Sequence, residues 1–73
     1  MNIEFLPNMN HKAFVIHNDD GSTILVSYET PVLKRSKNGV LTRLWDSWSH
    51  TTGRHIIAFC GLKKADYLAL PME

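Results

Sequence analysis

The chain has 73 residues, of which 44% are hydrophobic and 21% charged, and its formal net charge is +1. This length and composition indicate one globular domain over residues 1–73 and exclude a disordered or strongly charged protein. The single cysteine, Cys60, excludes an internal disulfide. Because no apolar run resembles a signal peptide or a membrane span, we expect a cytoplasmic protein.

The charged residues are unevenly divided between the two halves of the chain. Residues 1–30 carry one base against four acids, whereas residues 31–73 carry seven bases against three acids. Such a division either steers the molecule toward a charged partner or belongs to an ordinary solvated surface.

The N-terminal part is interpreted as an irregular arm over residues 1–11. Phe5 and Leu6, before Pro7, are the side chains through which this arm would contact a sheet. Alternation typical of a strand begins after this arm, and the first strand is predicted over residues 12–18.

The first turn signal is Asp19-Asp20-Gly21, between two runs rich in valine, isoleucine and leucine. A three-residue loop with a left-handed glycine would place Ile16 opposite Ile24 and Phe14 opposite Val26. A two-residue loop would instead mix apolar and polar partners. The apolar pairing therefore favours the three-residue loop.

The second turn signal is Lys37-Asn38-Gly39. A two-residue loop at this position would place Lys34 opposite Arg43, and two like charges in direct opposition destabilise a sheet. A three-residue loop pairs Lys34 with Thr42 instead. We therefore expect the same turn chemistry at both tips, with glycine at the left-handed position.

These turns predict a three-stranded antiparallel meander over residues 12–45, with strands at 12–18, 22–35 and 40–45. The long middle strand follows from an alternating apolar face that contains Ile24, Val26, Tyr28, Thr30 and Val32. Pro31 has no amide hydrogen, so it marks a bend or an edge position.

After Trp45 the apolar spacing becomes helical, and the main helix is predicted over residues 49–60. Ser49 is the best N-cap, with the following threonines as alternatives, and Gly61 fits a left-handed C-cap. A short second helix is predicted over residues 63–70. The expected fold class is therefore α+β: a three-stranded meander packed by one main helix and a short C-terminal helix.

Residues 43–59, RLWDSWSHTTGRHIIAF, concentrate the aromatic, hydroxyl and histidine side chains of the chain. Trp45 is interpreted as a core residue, whereas Trp48 fits either the core or a binding surface equally well. Gly53 indicates that a backbone or an indole ring approaches the helix closely. The hydroxyls with Arg54 suggest either a plain helix cap or an anion site, and the cap is favoured.

No catalytic, cofactor or metal site is predicted. His50 and His55 are five residues apart, which does not suit zinc ligands on one helix. His55 lies on the inward stripe and is interpreted as a hydrogen-bonded core residue. A triad of His55, Cys60 and Asp66 is not supported, because the first two diverge on one helix. No phosphate-binding glycine loop occurs, and we expect a non-enzymatic protein.

The same region resembles a family of small proteins from phages, prophages and plasmids of Firmicutes-type bacteria. The resemblance covers residues 13–73, and its motif is L-W-D-x-W-S-x-T-T-x-R-H-I-x-A-F, read from Leu44 to Phe59. The sequence departs from this family at Ser47, where the family has glycine, and at Gly53, where it has a larger residue. The resemblance implies a mobile-element origin and brings no catalytic residue.

Three functional hypotheses follow from these observations. The first is an accessory protein that binds and modulates a host protein, for example an anti-CRISPR-like inhibitor of a defence enzyme. Its contact surface would include Trp48, Arg43, Lys34 and Arg35. The second is a nucleic-acid binder that contacts phosphates through Lys34, Arg35, Lys37, Arg43 and Arg54. The third is a structural homodimer formed through an open sheet edge.

Overall fold

A computed structural model describes residues 2–7 and 12–73 of the chain. They form five strands and two helices: β1 (Asn2–Phe5), β2 (Ala13–His17), β3 (Thr23–Ser27), β4 (Thr30–Arg35), β5 (Leu41–Arg43), α1 (His50–Cys60) and α2 (Lys64–Leu68). The strands form one antiparallel sheet in the order β1-β2-β3-β4-β5. The α+β class, the antiparallel meander, the main helix and the short second helix are thus confirmed, but the sheet has five strands instead of three.

The N-terminal segment supplies one of the two additional strands. β1 pairs with β2, so that Ile3 lies opposite Ile16 and Phe5 lies opposite Phe14. The structure therefore differs from the expected irregular arm at residues 2–5, although the expected contact of Phe5 with the sheet is present. Asn2-Ile3-Glu4-Phe5 does alternate polar and apolar residues, but four residues are the shortest pattern that indicates a strand. Residues 8–11 of the arm lie outside the described part of the chain.

The second additional strand arises because the expected strand over residues 22–35 is a hairpin of β3 and β4. Tyr28 and Glu29 form its tip with φ angles of +49° and +67°, and Val26 lies opposite Pro31. A two-residue turn with both φ angles positive is normally built from asparagine and glycine. Tyr-Glu gives no such signal, and the prediction of one continuous strand is wrong.

The two turns that contain glycine were predicted correctly. Gly21 and Gly39 have φ angles of +90° and +88°. Ile16 lies opposite Ile24, and Lys34 lies opposite Thr42. Glycine carries no steric penalty at a positive φ, so its position marks each tip reliably.

The core lies between one face of the sheet and the two helices. Its buried cluster contains Val15, Leu25, Val32, Leu33, Ile56 and Tyr67. Because successive side chains of a strand point to opposite faces, the neighbours of Val15 and Leu25 along β2 and β3 lie on the other face. The helices therefore pack on one side of the sheet.

Tyr67 fastens α2 to the sheet. Its side chain is fully buried, and its hydroxyl lies 2.7 Å from the carbonyl oxygen of Val32 and 2.8 Å from that of Trp45. The Val32 carbonyl also accepts from the backbone N–H of Leu44, so the Tyr67 hydroxyl links α2 to a carbonyl of β4 and to the segment after β5. Burial raises the pKa of the Tyr67 phenol, which keeps this donor protonated.

The ends of α1 agree with the sequence prediction. The Ser49 hydroxyl accepts a hydrogen bond from the backbone N–H of Thr52 at 3.1 Å. Gly61 closes the helix in the left-handed conformation, with φ +79°, and its N–H donates to the carbonyl of Ile57. Each end thus satisfies backbone groups that a helix leaves without partners.

Gly53 allows the indole ring of Trp48 to lie directly against α1. A Cβ atom at Gly53 would come within 2.6 Å of Cε2 of Trp48, far inside van der Waals contact. The expected close approach of an indole ring is confirmed. The glycine therefore has a packing reason that outweighs its low helix propensity.

Gly53→Ala should destabilise the protein, although the same change stabilises an ordinary helix interior by about 0.8–1 kcal/mol. The added methyl group forces Trp48 out of its position, and overpacking of this kind costs about 1–3 kcal/mol. Urea denaturation measures the free energy of unfolding. In the Trp48→Leu background the same substitution should cost much less, and equal costs in both backgrounds would contradict this explanation.

Candidate protein-binding face

The basic residues proposed as contacts in the β4–β5 hairpin do not share one surface. Lys34 points away from the helices, and its ammonium group lies 3.6 Å from the carboxylate of Glu73. Arg35 is the next residue along β4, so it points to the helix side, where its guanidinium group lies 4.5 Å from the ring centre of Phe59. The two side chains thus occupy opposite faces of the sheet.

The other three predicted basic contacts are also dispersed. Arg43 donates through Nε to the carbonyl of Leu70 at 2.9 Å, which ties it to the C-terminal segment. Lys37 is exposed at the β4–β5 tip and Arg54 is exposed on α1. These residues lie in the basic part of the sequence, but the fold does not bring them together on one surface.

Trp48, the remaining predicted contact, is partly buried and packs against the core cluster. Its ring centre lies 5.6 Å from that of Tyr67. Trp45 packs against the same cluster, as expected for a core residue. Of the two interpretations of Trp48, the packing favours the core.

A buried polar cluster joins α1 to β3. The Ser27 hydroxyl lies 2.9 Å from Oγ1 of Thr52 and 2.7 Å from Nδ1 of His55. All three residues are buried, and His55 is only 3% exposed. The expected hydrogen-bonded core histidine is confirmed. The cluster satisfies three buried polar groups at once, which makes it a structural joint.

The environment of His55 disfavours its charged form. Burial lowers the pKa of the imidazole below its ordinary value, and the positive charges of Arg54 and Lys12 act in the same direction. The ring therefore stays neutral near pH 7, with Nδ1 directed to Ser27. A serine–histidine pair is also the arrangement of a nucleophile, but a substrate cannot reach a hydroxyl that is 1% exposed.

His55, Cys60 and Asp66, the residues of the unsupported triad, do not converge on one site. The Cys60 thiol lies 3.5 Å from the carbonyl oxygen of Ile56, and burial raises the pKa of this thiol. Across residues 2–7 and 12–73, no three histidine, cysteine or acidic side chains are placed to share a metal ion. No helix of this described part is long and apolar enough to cross a membrane.

The most distinctive surface is the sheet face opposite the helices, which we call the open face. Its solvent-exposed and partly buried side chains are Ile3, Phe5, Phe14, Ile16 and Ile24, whose places follow from the strand pairing. Ile3 and Phe5 are each 50% exposed, and the other three are partly buried. Val26, opposite Phe14, lies on the same face and is only 4% exposed. A cluster of large apolar side chains on a small domain is a feature that marks interaction sites.

An aromatic contact and the strand register determine how the side chains of the open face are arranged. The rings of Phe5 and Phe14 meet edge to face, with centres 5.8 Å apart. Ile3, Ile16 and Ile24 form a row across three strands, which Lys34 and Thr42 continue on β4 and β5. The apolar part thus occupies β1 to β3 and ends at a polar margin.

The sheet edges beside the open face differ from each other. At β5, the backbone N–H of Arg43 donates to the carbonyl of Pro71 at 2.8 Å, and Glu73 N–H donates to the Arg43 carbonyl at 3.0 Å. The C-terminal segment therefore lies along that edge. β1 forms the other edge, and all four of its residues are exposed.

The open face was not predicted from the sequence, although the β2–β3 and β4–β5 pairings were. The available signal was the continuous apolar run in β2, Phe14-Val15-Ile16, and the corresponding run in β3, Ile24-Leu25-Val26. Strands that face water on one side alternate, whereas such runs are typical of strands that are apolar on both faces.

The fold and this face define a small α+β domain with helices on one side of its sheet and an apolar surface on the other. The chain belongs to the Family of unknown function (DUF8033), which matches residues 3–68. This match extends from β1 to α2 and so covers both the core and the open face. Comparison with curated proteins finds no match, and comparison with solved structures finds none either.

His55 should make the stability of the protein depend on pH. Its pKa is lowered in the folded state, so below about pH 6.5 the unfolded chain binds a proton that the folded chain resists. Stability is therefore complete above that pH and falls as the pH decreases. Thermal unfolding from pH 5 to pH 8 measures this dependence.

His55→Gln should remove most of that pH dependence, whereas His50→Gln, which changes an exposed residue, should leave it in place. An unchanged pH profile in His55→Gln would show that other groups cause the acid destabilisation.

Proposed function

We propose that this protein is a small, non-enzymatic accessory protein of a mobile genetic element, which binds a host protein and modulates it. An anti-CRISPR-like inhibitor of a defence enzyme is one form that such a function would take. The observation that carries the proposal is the open face, because two of its large apolar side chains are half exposed.

The chemistry of the open face favours a protein partner. Phe5 and Phe14 provide aromatic surface, which is enriched at the centres of protein interfaces. Ile3, Ile16 and Ile24 provide a continuous aliphatic row beside them. Burial of this surface would gain roughly 25 cal/mol per Å². The partner would therefore contribute apolar side chains to the contact.

The size of the open face argues against a second copy as its occupant. The apolar part spans three strands, and with about 4.8 Å between strands and roughly 3.4 Å per residue it measures about 10 by 17 Å, or roughly 170 Å². A standard interface buries about 800 Å² per partner, and dimers that are permanent bury more. A different protein that also contacts neighbouring parts of the domain fits this size better.

Nucleic-acid binding remains the alternative, and the geometry supports it less. Phosphate binding needs several cations along one surface. Here Lys34 is near Glu73, Arg35 lies on Phe59 and Arg43 donates to a backbone carbonyl. These basic side chains are divided between the two faces of the sheet.

The test is affinity capture from host cells, followed by measurement of the affinity for the purified partner. Ile3→Glu places a charge within the contact and should weaken binding at least tenfold. The matched control is Val40→Glu, which changes a residue that is 61% exposed on the β4–β5 turn. The control should bind within about twofold of the unchanged protein.

Three outcomes would contradict the proposal. The first is equal binding by Ile3→Glu and Val40→Glu, which would place the contact elsewhere. The second is a homodimer in sedimentation that Ile3→Glu dissociates, which would make a second copy the occupant. The third is salt-sensitive binding of DNA or RNA that survives Ile3→Glu.

A further inference from the structure

A cavity lies where the open face meets the β3–β4 hairpin. Its volume is about 360 Å³, it is largely open to solvent, and among the described residues it is lined by Lys12, Phe14, Tyr28 and Glu29. Phe14 belongs to the open face, so the cavity continues that surface at one end. Tyr28 is 47% exposed, and its ring is therefore available to a ligand in the cavity.

The backbone beside the cavity is strained in a way that the other hairpin tips are not. Tyr28 and Glu29 both have positive φ angles, whereas the corresponding left-handed positions of the other tips are Gly21 and Gly39. A residue with a Cβ atom is destabilised in this conformation and glycine is not. Side chains held in such a conformation often serve a binding site.

The side chains around the cavity are held in place by further contacts. The Tyr28 ring lies 5.6 Å from the ring of His55, centre to centre. The Lys12 ammonium group also lies near this ring, 5.8 Å from its centre. Tyr28 is thus positioned between the buried joint and a cation, which limits the orientations open to its ring.

The lining indicates the class of ligand. Phe14 and Tyr28 offer ring surfaces, to which a second aromatic ring binds by stacking or edge-to-face contact. Lys12 and Glu29 carry opposite charges, so the site as a whole does not select an anion such as a phosphate. The Glu29 carboxylate accepts hydrogen bonds, which suits a ring that carries an N–H or O–H donor.

From these observations we propose that the cavity is an anchor pocket for one donor-bearing aromatic side chain, tryptophan or tyrosine, of the partner that covers the open face. The volume lies near the lower limit for small-molecule sites, which fits a single side chain better than a nucleotide. This inference rests on the proposed function, since it names the residue type by which that partner is recognised.

The direct test is NMR titration of the isotopically labelled full chain with N-acetyl-tryptophanamide. Saturable shifts should concentrate at residues 12–14 and 28–29, and N-acetyl-leucinamide should bind at least fivefold more weakly. Adenosine monophosphate is the third probe. Stronger binding of this nucleotide than of the tryptophan amide, or shifts spread evenly over the molecule, would overturn the inference.

Glu29→Gln should weaken binding of the tryptophan amide roughly threefold or more, because the acceptor loses its charge. Val40→Glu is the control and should leave that binding unchanged. Equal affinities of Glu29→Gln and the unchanged protein would overturn the role of the carboxylate.

Glu29→Gly separates a binding role from a structural one. Release of the strained conformation should leave Tm unchanged or raise it by up to about 4–8 °C, while binding of the tryptophan amide weakens. A lower Tm together with unchanged binding would show that the side chain serves the fold alone.

The two proposals fail in different ways. Because the tryptophan amide is tested without the partner, its failure to bind overturns the anchor pocket even where Ile3→Glu abolishes capture. Binding of the amide at the cavity supports the ligand class, even where equal capture by Ile3→Glu and Val40→Glu overturns the proposed function.

Discussion

The structure depends on one constraint: two of its strands, β2 and β3, are apolar on both faces, while the two helices cover only one face of the sheet. Val15 and Leu25 are buried with Ile56 and Tyr67 in the core cluster. The neighbouring side chains of β2 and β3 point the other way. A chain this short buries only a limited share of its surface. The apolar face that remains is therefore a direct consequence of size, and it is the basis for proposing a protein partner.

The helix side is held by polar groups as well as by apolar burial. The Ser27–His55 contact at 2.7 Å and the Tyr67 hydroxyl between two carbonyl oxygens attach α1 and α2 to the sheet. Buried groups of this kind are costly when a partner is lost, so they fix a unique arrangement. The dense segment of aromatic, hydroxyl and histidine side chains is thereby explained as a joint of the fold. The candidate binding surface lies on the opposite side.

The parts of the fold that could be predicted from the sequence are those where a residue type strongly favours one local conformation. Gly21 and Gly39 marked two turns, and Ser49 and Gly61 marked the ends of α1. The Tyr28-Glu29 tip could not be predicted, because neither residue is one that marks a turn with two positive φ angles. The candidate site was missed for a different reason. Basic residues are visible in a sequence, whereas an apolar face becomes a site only when no helix packs on it.

The C-terminal segment, residues 71–73, protects one edge of the sheet from pairing with other molecules. Its hydrogen bonds with Arg43 occupy an edge that would otherwise be a template for strands of other molecules. A sheet can extend through many molecules only if each molecule has two unpaired sheet edges. A molecule with one unpaired edge can add only one partner. Residues 71–73 therefore shield Arg43 from pairing with a strand of another molecule, and their loss would leave this edge of the sheet unprotected.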